Sequence, residues 1–193
     1  MPEDYSGQDL SGRNFSGQDL SDADLSEATL SGADLSNANL TRTNLFRANL
    51  FRANLSGAFL SGARLYDATL SGADLLGANL SGADLFGADL TYANLTYANL
   101  DEADLTNATL TNAKLYDATL TRAKLYGANL TSANLTSANL SGAFLSGAKL
   151  LGADLSGANF TDADLTDAFR RPGINRADME GVIGLDSITG LVD

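Results

Sequence analysis

The sequence predicts an all-β solenoid, on the strength of a five-residue beat, a second beat two residues ahead of it, and the failure of helix and straight strand to accommodate either. From Leu10 to Leu165 every fifth residue is large and apolar; 30 of the 32 positions are Leu and the others are Phe15 and Phe160. Two residues earlier, from Ala23 to Ala163, 28 of 29 positions are Ala, with Thr43 the lone departure. On an α-helix five residues advance a side chain by about 140°, which scatters the leucines around the circumference. In a straight strand a step of five reverses the face each time. The chain must therefore turn by a constant amount per pentad, holding Leu and Ala inward and the other three positions outward. A repeat of this kind buries its core only between stacked neighbours. The inward positions alone do not say how many pentads close one coil.

Residues 1–20 read as an N-terminal cap and first coil. Tyr5, Leu10 and Phe15 keep the beat, but Gln8, Arg13 and Gln18 take the slot that later holds Ala, and bulky polar groups fit there only at an open end. Residues 21–169 are the solenoid proper, [S/T/x]-x-A-[D/N]-L repeated without insertion. Ala follows from space, since a larger side chain in a narrow core would compete with the leucines above and below. Asn or Asp before Leu can bond nearby backbone as turn residues do, which accounts structurally for most of the acids. Gly recurs two residues after Leu, where a corner needs backbone freedom. The beat stops at Ala168-Phe169-Arg170, and Pro172-Gly173 is a strong break. Residues 170–193 are expected to form a C-terminal cap segment. In it Ala177-Asp178-Met179 echoes the repeat one residue out of phase, and Asp186 is placed to cap a short helix through 188–192. Val182, Ile183, Leu185, Ile188 and Leu191 make this segment either a lid over the last leucines or a dimer contact; the lid is favoured, because an uncapped end is an exposed sheet edge.

The A-[D/N]-L triplet at strict fives resembles the pentapeptide-repeat family over roughly residues 5–169. The resemblance implies a right-handed quadrilateral β-solenoid with four pentads per coil. That makes about eight coils and, at about 4.8 Å between stacked strands, a rod of roughly 38 Å. Aromatics at Phe46, Tyr66, Phe86 and Tyr126, interrupted at Thr106, agree with a 20-residue coil. In that register the face of Leu25, Leu45 and Leu65 carries Asp24, Glu27, Asp67, Asp84, Asp104, Asp164 and Asp167 against Arg47, Arg64 and Lys124. Phe46, Tyr66, Phe86 and Tyr126, with Asp84 and Asp104, form a candidate interaction stripe, since aromatics are enriched at interface hot spots. The alternative is self-stacking along the axis, worth about 0.5–1.5 kcal/mol per pair. Phe46-Arg47 and Phe51-Arg52 form a second cluster, which duplication of FRANL explains without function.

The formal charge of −12 disfavours direct nucleic-acid binding through phosphates and leaves open a basic protein partner. The chain has neither Cys nor His, which removes thiol chemistry and the usual general base. Carboxylate pairs such as Asp101 with Glu102, or Asp22 with Asp24, occupy outer positions without an apolar pocket to perturb them. No catalytic residue, cofactor or metal is expected. Neither a signal-like N-terminus nor 18 consecutive apolar residues occur, so the expectation is a cytoplasmic protein without membrane contact. The function expected is a non-enzymatic scaffold for an unknown protein partner, monomeric or dimeric through its C-terminal segment. The resemblance implies an alternative, modulation of DNA gyrase, because some acidic family members resemble a DNA duplex and occupy the enzyme's DNA-binding saddle, inhibiting it or protecting it from quinolones. Protecting members often carry protruding loops; the lack of any insertion between Tyr5 and Leu165, and the spread of acids over several faces, count against it. An ice-binding surface is a lesser alternative, since Thr109-Leu110-Thr111 and Thr119-Leu120-Thr121 fall on different faces.

Overall fold

The computed structural model describes residues 3–168, 182–184 and 187. Each outward residue just before the central Leu pairs in parallel with the residue 20 positions on, from Asp4 with Asp24 to Phe144 with Asp164. Four pentads therefore close one coil, and the coil has four faces. Face 1 is centred on Tyr5, Leu25 and their successors to Leu165; face 2 on Leu10 to Leu150; face 3 on Phe15 to Leu155; face 4 on Leu20 to Phe160.

The pentad around Leu25 shows why five residues suffice for one side. Leu25 N–H donates to Asn44 O on the next coil (2.7 Å) and Asp24 N–H to Glu3 O on the previous one (2.9 Å). Glu27 N–H reaches Phe46 O (2.7 Å), and Ala23 N–H closes a turn on Leu20 O (3.1 Å). The fifth amide, that of Ser26, donates to Asp24 Oδ1 (2.9 Å). All five amides of the pentad thus have acceptors, as a buried backbone requires. Asn or Asp before Leu supplies the acceptor that the ladder cannot.

Every turn from residue 7 to residue 167 places the second residue after the central one at positive φ, which is the type II geometry. Gly7 (φ 65°) is the expected occupant, but Asp22 (φ 59°), Arg42 (φ 56°) and Tyr92 (φ 58°) adopt the same conformation. Coil closure over-determines the corner, so residues that rarely enter the left-handed region are held there.

The bore is filled by the Leu and Ala columns, which form one continuous buried cluster. Thr43, the exception in the Ala column, is fully buried and its Oγ1 donates to Leu20 O at 2.7 Å. At the N-terminal end Gln8 and Gln18 stand exposed in the Ala slot. Gln8 Nε2 donates to Asp4 O (3.1 Å) and Gln18 Nε2 lies 3.5 Å from Asn14 O. Carbonyls in this position elsewhere accept an amide from the coil before, as Asp24 O does from Tyr5 N–H, and here the glutamine side chains take that place. Tyr5 meets Phe15 edge-on across the bore (centroids 6.0 Å apart), and Arg13 lies 5.7 Å from the Phe15 ring centre.

At the other end Ile183 pairs in parallel with Asn159 on face 4. Its N–H donates to Ala158 O (2.8 Å), and its carbonyl accepts from Phe160 N–H (2.9 Å). Val182 is buried in the inward slot, whereas the Ile183 side chain is 55% exposed. Gly184 passes so close to the last coil that a Cβ would stand 2.6 Å from Thr161 Cα and N. Ser187 Oγ accepts from Asp162 N–H (3.0 Å) and donates to Gly184 O (2.8 Å). Leu185, Ile188 and Leu191, the echo at 177–179 and the Asp186 cap lie outside the described residues.

Candidate functional site

The 20-residue register puts position 46 beneath 66 and 66 beneath 86 at the corner that follows face 1. Phe46 and Tyr66 stack with centroids 5.7 Å apart and planes at 25°; Tyr66 and Phe86 stack at 5.2 Å and 8°. The Arg47 guanidinium lies 4.9 Å from the Phe46 ring centre and 3.8 Å from Asp67 on the next coil. Thr106 breaks the column. Tyr126 therefore does not continue it and stacks with Phe144 of face 1 at 5.8 Å. Phe51 belongs to the next corner, where Arg52 lies 4.9 Å from its ring centre.

Beside the column, face 1 sinks into an open depression of about 410 Å³. Tyr66 and Phe86 wall one side, Glu102 the other, and Asp84, Asp104 and Lys124 lie between. Gly82 leaves its corner bare, for a Cβ built there meets nothing within 4 Å. Asp84 Oδ1 accepts from Phe86 N–H (3.2 Å) and Asp104 Oδ1 from Thr106 N–H (3.0 Å). Lys124 Nζ reaches Asp104 Oδ2 at 3.2 Å. Burial pushes the Asp104 carboxyl up, but the hydrogen bonds from Thr106 and the charge of Lys124 outweigh it and hold the group below its ordinary value.

Four of the six residues of the expected stripe, Tyr66, Phe86, Asp84 and Asp104, thus come together around one depression. Phe46 lies one coil below, and Tyr126 is engaged with Phe144. Sequence reasoning does not single out Gly82, and it weighs Glu102 only as a carboxylate beside Asp101; both belong to the preceding corner. Their signal is positional only: each is 20 residues from a charged corner residue, Glu102 from Arg122 and Gly82 from Glu102.

Elsewhere charges pair along the axis. Arg42 binds Asp22 through two contacts (2.8 and 2.6 Å), and Arg122 holds Glu102 at 2.6 Å with Asp101 at 3.9 Å. Of the carboxylates that sequence alone weighs for catalysis, Asp22, Asp101 and Glu102 are therefore partners of arginines one coil on, while Asp24 accepts from Ser26 and Asn44. Exposed pairs of this sort add little stability, but they reduce the bare negative charge. Among the described residues no group of three carboxylates converges on a metal-sized site, and no helix is long and apolar enough to cross a membrane.

Parallel single-residue ladders on four faces around a Leu and Ala bore define a quadrilateral β-solenoid. The family model for pentapeptide repeats matches in eight copies, over residues 9–45, 48–87, 83–122, 113–150 and 128–167, and this chain belongs to that family. Its solenoid is accordingly of the right-handed type. HetL, a pentapeptide repeat protein involved in heterocyst differentiation regulation in the cyanobacterium Nostoc sp. strain PCC 7120, is similar in structure, with TM-score 0.75 and 38% identity over 84% of this chain and 76% of that one. Two trypsin-treated forms of QnrB1, a plasmid-mediated fluoroquinolone resistance protein, align over 95% of this chain and 90% of theirs, with TM-scores of 0.71 and 0.69 at 24% and 25% identity. Among curated proteins none matches this chain significantly.

Proposed function

We propose that the chain is a non-enzymatic interaction scaffold that presents face 1 and its aromatic corner to a protein partner. The observation that carries this reading is the coincidence of partly exposed aromatics with an acidic depression on one side of a rigid rod. Aromatic anchors beside a charged rim are what a binding patch needs. The sequence lacks the residue types that most often serve as general base or thiol nucleophile. Capture from a cell lysate, read by mass spectrometry, tests the reading through two variants. Replacing Phe46, Tyr66 and Phe86 together by Ser is expected to release the partner. Replacing Phe59 on face 4 by Asn is expected to leave it bound. Equal capture by both variants would reject face 1 as the binding surface.

The likeness to QnrB1 favours a second reading, modulation of DNA gyrase. The ion-paired acids and the uninterrupted solenoid weigh against it. A supercoiling assay with and without a quinolone, run against a charge-matched acidic protein, separates the two. Stoichiometric inhibition or protection by this chain alone would promote the gyrase reading.

A further inference from the structure

The outward column of face 1 contains a conflict that the rest of the solenoid avoids. In these columns an Asp is commonly stacked against an Asn whose amide donates to it. Asn44 Nδ2 reaches Asp24 (2.9 Å), Asn54 reaches Asp34 (3.1 Å) and Asn94 reaches Asp74 (2.9 Å). Asp84 is instead paired with Asp104, so two carboxylates stand on adjacent strands about 4.8 Å apart. Like charges directly opposite one another are destabilising. The other such pair, Asp4 with Asp24, lies at the N-terminal end, and there Asn44 serves Asp24. In the depression Lys124 serves Asp104, and Arg122 holds Glu102. Arg64, one coil before Asp84, forms no ion pair among the described residues. Among the described residues Asp84 forms no ion pair, and it stands beside an aromatic wall.

The chain's own arginines indicate which cation suits such a place. Arg47 and Arg52 each lie 4.9 Å from the centre of a neighbouring Phe ring. A planar guanidinium can lie flat on a ring while its fixed fork of donors bridges two carboxylates, a geometry that a point-like ammonium matches less well. We propose that the face 1 depression receives the guanidinium of an arginine from the partner, lodged between the Asp84 and Asp104 carboxylates and the Phe86 ring. This rests on the scaffold reading and names the chemistry of its partner. The bare corner at Gly82 gives an extended segment room to approach.

The test is a titration of the isotope-labelled chain with N-acetyl-arginine amide, followed by amide NMR shifts. N-acetyl-lysine amide and the neutral N-acetyl-citrulline amide serve as comparisons. Saturable shifts confined to residues 82–86 and 102–106 are expected, with arginine at least about threefold tighter than lysine and citrulline silent. Asp84→Asn keeps the shape and removes the charge; Phe86→Ser keeps the charge and removes the wall. Both residues already occur in the same columns, as Asn44 and Ser26, so the coil is expected to hold, and unchanged shifts on face 3 would report it. Each variant should weaken arginine binding severalfold. Shifts spread over all faces, absence of saturation, equal binding of lysine, or indifference to both variants would each overturn the proposal. Should capture of a protein partner still depend on face 1 in that event, only the arginine assignment falls; loss of that dependence as well would remove the scaffold reading.

Discussion

Thr43 and Tyr92 show how strictly the coil disciplines single residues. Thr43 sits fully buried in an Ala slot, and its hydroxyl is tolerated because Leu20 O accepts it at 2.7 Å. Thr43→Val keeps the volume and deletes the bond. It should cost about 1 kcal/mol in denaturant unfolding; Leu20 O retains the Ala23 amide and is not orphaned. Tyr92 is 67% exposed at a corner with φ 58°. A non-glycine residue in that region is strained by roughly 1–2 kcal/mol, while glycine gives back about 0.4–1 kcal/mol through a freer unfolded chain. Tyr92→Gly is therefore expected to stabilise by about 0.5 kcal/mol, raising Tm by roughly 1–2 °C. The Ala column is plain in the sequence. That every corner is left-handed is not, because Asp, Arg and Tyr carry no such preference as strongly as Gly does, and stacking of coils imposes it.

The pentad, as an element, depends on the acceptor before Leu. The Asp24 carboxyl is held below its usual 3.8 first by the Ser26 hydroxyl and then by the Ser26 amide, and Asp154 is lowered in the same way by Ser156. Since the folded values are the lower ones, these bonds contribute in full above 3.8 and are lost as pH falls through the folded values. Tm should stay level from neutral pH to about 5 and drop below about 4. Relief of the −12 charge acts in the opposite sense, so the comparison with Asp24→Asn isolates the bond. That variant should lose less on acidification, because an amide oxygen makes the same contact without titrating, as Asn44 does with Phe46 N–H. The first coil is the second element with a distinct role. Gln8 and Gln18 reach carbonyls that no backbone amide serves among the described residues. Gln8→Ala with Gln18→Ala should cost about 1 kcal/mol per lost bond and produce concentration-dependent end-to-end association in sedimentation velocity. The polar residues in the Ala slot are plain in the sequence, whereas their carbonyl partners appear only once the coil closes.

For the whole molecule, stability is carried between coils, so a lesion at the middle of the rod reaches both halves. Leu85 is fully buried beneath the face 1 depression, and Leu85→Asp would place a charge there without a partner. A loss on the order of 4–5 kcal/mol is expected, and an unchanged melting temperature would contradict the inward column. The two-beat pattern by itself determined the solenoid, the inward Leu and Ala, the polar first coil and the end of the beat near residue 168, because each follows from local periodicity and from the volume of one side chain. The four-sided register agreed with the aromatic spacing, but the pairing of residue n with n + 20 settled it. Only the tertiary structure decided that Tyr126 leaves the aromatic column for Phe144, that arginines one coil on hold Asp22 and Glu102, and that Asp84 faces Asp104 beside an open corner at Gly82. Neighbours along the sequence share a pentad, whereas neighbours along the rod axis are 20 residues apart. The chemistry of face 1 is written in that second direction.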